Sequence, residues 1–162
     1  MGKGKHKKKK KGPGPSYLCR NKKARHDYFI EETFEAGIVL QGSEVKSLRA
    51  GRASLTEAYV VIHEGEAYLI GAHVSEWPYS HARNHEPTRR RKLLLHAKEI
   101  KRLMGKIQEK GYTLVPLSMY LKNGKIKLEV GLAKGKRKYD KREAIRKKDQ
   151  QRDQEAHQSR FR

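Results

Sequence analysis

A chain of 162 residues with a single cysteine, Cys19, supports no intrachain disulfide framework and no cysteine-based zinc site. Long apolar runs are missing as well. No stretch approaches the ~20 consecutive apolar residues of a membrane helix, and the basic N-terminus leads into no apolar segment such as a secretory signal carries. Acids are scarce: 18 Asp and Glu face 39 Lys and Arg, a formal net charge of +21. These shortages leave a soluble intracellular protein, one domain with tails, whose expected partner is a polyanion and not a membrane.

The groupings that catalysis needs are also missing. Gly131-Leu132-Ala133-Lys134-Gly135-Lys136 imitates a phosphate loop but is one residue short of GxxxxGK. Arg137 stands where Ser or Thr would ligate magnesium. His81 and His85 are spaced i, i+4, yet no glutamate follows His81 and no helical pattern surrounds them, which argues against a metal site. His63 and His73 fall in strand patterns, where a histidine is ordinarily structural, and no GxSxG elbow occurs. The sequence therefore reads as a non-enzyme and calls for no cofactor.

The charge is unevenly divided. Residues 1–25 hold 11 Lys and Arg and no acids, and residues 134–162 hold 12 against 5. Residues 26–133 are near neutral, 16 against 13, and contain 29 of the 32 Leu, Ile, Val and Phe. Flanks so poor in core formers cannot offset chain entropy by burial. The expected organisation is a disordered basic arm over 1–20, a globular domain over 21–133, and a basic tail over 134–162 that is disordered when free. The lysine run 7–11 is equally consistent with a solubilising tail, and Gly12-Pro13-Gly14-Pro15 reads as a spacer that blocks helix and strand.

Within the folded part, residues 28–40 place Tyr28, Ile30, Phe34, Ala36, Ile38 and Leu40 on one parity, the period of a strand. Gly37 inside it suggests a bulge or bend. Residues 44–49 read as a short helix with Ser43 as N-cap and Gly51 as stop. Residues 58–62 and 67–74 read as a hairpin through Glu64-Gly65, and 77–87 as a loop. Residues 96–110 give the best helix, with Ile100, Leu103, Met104 and Ile107 at i, i+3, i+4, i+7 and Gly111 as stop. A second hairpin joins 112–121 to 125–133 through Asn123-Gly124. Its second strand points Ile126, Leu128, Val130 and Leu132 one way and Lys125, Lys127 and Glu129 the other, while Pro116 belongs at an edge or bulge. Five or six short antiparallel strands with one long helix make a mainly β fold. Closure removes sheet edges, so a small oligonucleotide-binding-type barrel is the natural candidate.

Six strings occur in order: Asn21-Lys22-Lys23-Ala24-Arg25-His26-Asp27-Tyr28, Glu35-Ala36-Gly37-Ile38, Gly42-Ser43-Glu44-Val45-Lys46-Ser47-Leu48-Arg49, Arg91-Lys92-Leu93-Leu94-Leu95, Gly135-Lys136 and Asp140-Lys141-Arg142-Glu143. Their order and spacing over some 130 residues resemble the SsrA-binding protein family (small protein B, SmpB). The resemblance implies a six-stranded antiparallel barrel with about three helices that binds the tRNA-like domain of transfer-messenger RNA. It further implies delivery of that RNA to stalled ribosomes, contact with small-subunit rRNA, and a monomer in the RNA complex. The tail would occupy the empty mRNA channel, and the nascent chain would be tagged for degradation.

By the same resemblance Asn21, Glu35, Leu94 and Lys127 match positions tied to RNA binding, with Arg91 and Lys92 in the adjoining basic run. Each has a plainer reading. Asn21 suits a helix cap, Leu94 a core position, Lys127 a solvated cation, and the run 89–92 a solvated charge cluster. Glu35 cannot meet a phosphate, which leaves acceptance from base or ribose donors, or orientation of a neighbouring cation. Trp77 and Tyr79 could stack on bases, although burial suits Trp77 better. The tail residues matched are Lys134, Lys136, Arg137, Asp140, Lys141 and Arg142. Residues 142–154 are good helix formers with Ile145 as the one large apolar group, so a helix there needs contacts from a partner. A ribosomal or general RNA-binding barrel shares the charge pattern but not the six strings, and an RNA-modifying enzyme lacks its acid, base and metal.

Overall fold

The computed structural model describes residues 14–109 and 111–160; the lysine run 7–11 and Gly12-Pro13 lie outside them. In chain order the elements are β1 (Ser16–Arg20), α1 (Lys22–Asp27), β2 (Tyr28–Ile38), α2 (Gly42–Arg49), β3 (Ala53–Ser54), β4 (Tyr59–His63), β5 (Glu66–Ile70) and β6 (His73–Val74). A 3-10 turn at His81–Arg83 precedes β7 (Arg91–Leu94), α3 (Ala97–Gln108), β8 (Tyr112–Lys122), β9 (Lys125–Gly135) and α4 (Lys138–Arg160).

The sheet is antiparallel and returns on itself. Neighbours run β8, β4, β5, β7, β2, β9, and β9 pairs again with β8, which makes a ring of six strands. β1 joins β8 outside the ring, and β3 pairs with β6 in a separate two-stranded sheet. The length of β8 allows this. Leu114 near its start faces Val60 of β4, while residues 118–121 near its end face β1 on the same edge. The described residues thus form nine strands and four helices, more than the six and three anticipated, because β1, the β3–β6 pair and the tail helix add to the ring.

Alternation drives the closure. Leu128, Val130 and Leu132 of β9 point into the ring with Ala36 of β2, Leu69 of β5, Leu93 of β7 and Leu114 of β8, and all are buried. From α3 only Leu103 is fully buried, and Ile107 packs beside it. The β8–β9 hairpin turns on Asn123 (φ 52°) and Gly124 (φ 74°), the left-handed pair that a two-residue type I′ turn requires. No helix among the described residues is long and apolar enough to cross a membrane.

Several local expectations shift. Gly37 is not a bulge: the register of β2 slips between Ile30 and Glu32, and Gly37 pairs regularly with Lys127 and Leu94. Its lack of a side chain serves a close approach, since a Cβ there would come 3.1 Å from the Leu94 Cβ. Pro116 does adjoin a slip, between itself and Ser118, where its missing N–H costs the ladder nothing. α2 starts at Gly42 with Gln41 as its N-cap, whose N–H donates to the Glu44 carboxylate at 2.7 Å. Ser43 is instead buried against His85 Nδ1 at 2.8 Å. His85 Nε2 meets the Val74 carbonyl at 2.8 Å; a carbonyl only accepts, so Nε2 carries the hydrogen. Ser16–Arg20, inside the segment read as an arm, is a strand, and it holds Cys19 half-buried opposite Met119. β9 runs to Gly135, two residues past the expected boundary.

Candidate nucleic-acid interface

Strand register decides which outward side chains become neighbours. Tyr17 pairs with Tyr120, Tyr120 with Lys127, Lys127 with Gly37, and Gly37 with Leu94. This is one row across β1, β8, β9, β2 and β7. Two residues further along β8, β9 and β2, and three along β1 where its register slips, a parallel row runs Arg20, Ser118, Glu129, Glu35. Three of the four positions suggested for RNA binding, Glu35, Leu94 and Lys127, therefore share one outer face of the ring.

Glu35 is the organiser of that face. Its carboxylate accepts from the Tyr120 hydroxyl at 2.6 Å and pairs with Lys122 Nζ at 2.9 Å. Those hydrogen bonds, first from Tyr120 and then from Lys122, hold its carboxyl below the usual range, with Lys127 contributing charge. Burial and the Glu35 hydrogen bond push the Tyr120 phenol well above its ordinary value, so it stays a neutral donor. Lys127 itself has no hydrogen-bond or ion-pair partner among the described residues, and its charge is free for an incoming anion. Leu94 is 55% exposed, held out by the close approach of Gly37. Beside it a groove of about 390 Å³ is lined by Gly37, Leu94, Val45 and Lys127. On the other side of Lys127 a groove of about 510 Å³ is lined by Tyr17, Glu35, Tyr120 and Lys122.

The remaining residues divide. Lys92 is exposed on β7 and paired to Glu66. Arg91, next to it, points inward and is fully buried. Its Nε donates to Glu44 at 2.8 Å, and its other donors reach the carbonyls of Ala72, Arg89 and Pro87. Glu44 also holds Arg89. Each guanidinium nitrogen of Arg91 is engaged inside the protein, and the side chain is fully buried, which leaves it no surface to offer a ligand: alternation along β7 turns 91 and 93 inward and 92 and 94 outward. Asn21 is buried too. It caps α1 by accepting from the Ala24 N–H at 3.1 Å, and its amide donates to the Leu55 and Pro116 carbonyls. It ties α1 to β8. Tyr79 is exposed and Trp77 partly so, ring to ring at 5.9 Å, and the Asn84 side chain clamps both backbone groups of Trp77.

The tail residues gather at another part of the ring, where β9 leads into α4. Lys134 lies over the Tyr112 ring at 4.6 Å. The Lys136 N–H donates to the Asp27 carbonyl at 2.8 Å, and its Nζ to the Arg25 carbonyl at 3.3 Å. The Arg137 N–H donates to Asp140 at 3.2 Å, which caps α4. Lys141 pairs with the Asp27 carboxylate at 3.2 Å, and Arg142 is exposed beside it. α4 extends beyond the expected 142–154 at both ends and carries an i, i+4 pair between Glu143 and Lys147 at 3.3 Å.

Tyr120, Lys122 and Tyr17 were not anticipated. The signal for the first two was present: a two-residue turn at Asn123-Gly124 fixes Lys122 opposite Lys125 and Tyr120 opposite Lys127. Nothing in the sequence placed Glu35 beside them.

Comparison with known proteins points one way. The family model described as SmpB protein matches residues 18–160. An SsrA-binding protein of Shouchella clausii is 59% identical over 138 residues, 85% of this chain and 88% of the relative. One from Nitrosomonas europaea is 56% identical over 141 residues, 85% and 92%. A solved chain from "tmRNA-SmpB: a journey to the center of the bacterial ribosome" is 47% identical with a TM-score of 0.64, covering 79% of this chain and 94% of that one.

Proposed function

The chain belongs to the SmpB family of SsrA-binding proteins, and from that membership we infer that it is a non-enzymatic RNA-binding adaptor. It acts with transfer-messenger RNA in trans-translation at the ribosome. We propose that the ring is an oligonucleotide-binding-type barrel and that its face bearing Glu35, Leu94 and Lys127 receives the tRNA-like domain as a monomer in the cytoplasm. The observation that carries this is the row from Tyr17 to Leu94. It sets an unpaired cation between two grooves, with an exposed leucine at one side and an acid held by a tyrosine and a lysine at the other. RNA that is not a plain duplex is recognised through shape, phosphates and unstacked bases, and this face offers a donor for phosphate and an apolar edge for a base. Glu35 acts by fixing Lys122 and Tyr120. Asn21 and Arg91 act from inside, holding α1 and β7 in place, and Lys92 adds charge beside Leu94.

The folded unit spans about residues 16–135. The basic arm before it and the tail after it serve other contacts. The tail, from Lys134 and Lys136 through Arg137, Asp140, Lys141 and Arg142, enters the empty mRNA channel of a stalled ribosome, where rRNA supplies the contacts that a polar helix lacks.

Titration of the tRNA-like RNA, against an equal-length duplex, tests this. Lys127→Ala weakens binding and reduces the slope of log K against log salt by about one unit. Glu35→Ala weakens binding without that change in slope. Equal affinity for the duplex would favour a general RNA-binding barrel, and unchanged affinity in both variants would move the interface off this face.

A further inference from the structure

Two exposed arginines flank the row, and each lies over a tyrosine ring. Arg20 Cζ sits 3.7 Å from the centre of the Tyr17 ring, and Arg90 Cζ sits 3.6 Å from the centre of the Tyr68 ring. Tyr17 opens the row on β1. Tyr68 lies on β5 opposite Lys92, the outward neighbour of Leu94, so Arg90, Lys92 and Leu94 continue the same outer surface. Along the row, Tyr17 and Tyr68 are separated by five strand spacings round the closed ring.

The chemistry of the two stacks is alike. A guanidinium over a ring uses its face for the cation–π contact and keeps its N–H donors in plane, pointing away along its edges. Neither Arg20 nor Arg90 has a hydrogen-bond or ion-pair partner for its side chain among the described residues. The nearby acids are engaged elsewhere. Glu66 accepts from Lys92 and from the Tyr68 hydroxyl, and Glu129 accepts from Ser118 and lies 3.9 Å from Arg25. The ring restrains a side chain that otherwise loses much rotamer freedom on binding. What results is a planar, charged, pre-set fork with no internal acceptor, a geometry suited to bidentate capture of a phosphate. Arg89 and Arg91 show the contrast, since both spend their donors on Glu44 and backbone carbonyls.

We propose that Arg20 and Arg90 are the two end anchors of the RNA interface, each receiving a backbone phosphate of the tRNA-like RNA on the in-plane edge of a tyrosine-stacked guanidinium. This rests on the reading of the Glu35–Lys127 face as the RNA site and extends it to both flanks. The anchors position the RNA and carry no sequence information.

Salt-dependent titration of the full-length protein with the tRNA-like RNA tests it, using Arg20→Ala, Arg90→Ala, Arg90→Lys and Tyr68→Leu beside Lys127→Ala. Each alanine variant is expected to weaken binding about five- to tenfold and to flatten the salt slope by about one unit. Arg90→Lys keeps the slope but loses affinity, because the charge remains and the fork does not. Tyr68→Leu also keeps the slope and weakens binding, which separates a pre-set cation from mere charge. If Lys127→Ala weakens binding while both arginine variants match the parent in affinity and slope, the anchors are refuted and the central face stands. If Lys127→Ala is without effect, the underlying reading of the face is the one that fails. Equal binding by Arg90→Lys and the parent would refute the stacked fork in favour of simple charge attraction.

Discussion

Glu44 shows how one buried acid organises a strand. Burial is the largest influence on its carboxyl and opposes ionisation. The Arg89 hydrogen bond, the Gln41 N–H and the Arg91 charge together outweigh it, so the group sits below its ordinary value of 4.5. A depressed carboxylate contributes stability that is fully present above the unfolded value and is lost as pH falls through the lower folded value. Glu44→Gln removes the charge and strands Arg91, which is fully buried. Breaking one side of a buried pair typically costs about 3–5 kcal/mol, and that loss is the expectation at pH 7. Urea unfolding of parent and variant should show a gap that is flat at neutral pH and narrows only below about 4.5, the unfolded carboxylate's own range. A gap that already closes between pH 7 and 6 would assign the stability to some other group. The same network explains why β7 presents Lys92 and Leu94 outward in a fixed register.

At the scale of elements, the β8–β9 hairpin and α4 are opposites. The hairpin is pinned by a left-handed turn, by alternation and by neighbours on both sides. α4 is 23 residues long; Asp140 caps its first turn, and Lys141 pairs with Asp27 at the end of α1. Its one large apolar residue over 142–154, Ile145, is 47% exposed. A helix without an apolar stripe gains little from the rest of the fold. Amide hydrogen exchange should therefore be far faster across α4 than across β8 and β9 in the free protein, and should slow in the ribosome complex. Truncation after Gly135 should leave affinity for the tRNA-like RNA within about tenfold, ~1.4 kcal/mol, while abolishing tagging on stalled ribosomes. Replacing Asp140, Lys141 and Arg142 by alanine should do the same more mildly. Normal tagging by the truncated chain would remove the tail from the mechanism, and lost RNA binding would make it part of the ring's interface.

For the whole molecule, charge and burial are separated. Among the described residues the buried hydrophobic side chains all lie between Ala24 and Ala133, whereas 23 of the 39 Lys and Arg lie in 1–25 and 134–162. A chain trimmed to 14–135 keeps the ring, β1 and every buried hydrophobic side chain among the described residues, and should unfold in one cooperative transition. A molten spectrum would show that the tails are structural. The full chain's affinity for the RNA should fall steeply with salt, with a total slope of about −4 to −7 at −0.7 to −0.9 per neutralised phosphate. A slope near −1 would mean that the cations on this face do not meet the backbone.

The sequence by itself determined the local grammar. The period of two in 28–40 and 125–133, the Asn123-Gly124 turn and a helix within 96–110 were legible because each is set by residues within a few positions of one another, although that helix ends at Gln108 with Glu109 as its C-cap, short of Gly111. The family, and with it the function, was legible in six short strings whose order survives without any knowledge of the fold. Tertiary structure decided the rest. Which of Arg89, Arg90, Arg91 and Lys92 reaches solvent depends on where β7 begins and which side faces Glu44, 45 or more residues away in the chain. Gly37 read as a bulge because a strand glycine signals either a kink or a close approach, and only the position of Leu94 on a neighbouring strand chooses between them. Glu35, Tyr120 and Lys127 became neighbours through pairings between β2, β9 and β8 that no local pattern encodes. Ring closure requires those pairings, since it satisfies strand edges only in a register that puts every apolar parity inside.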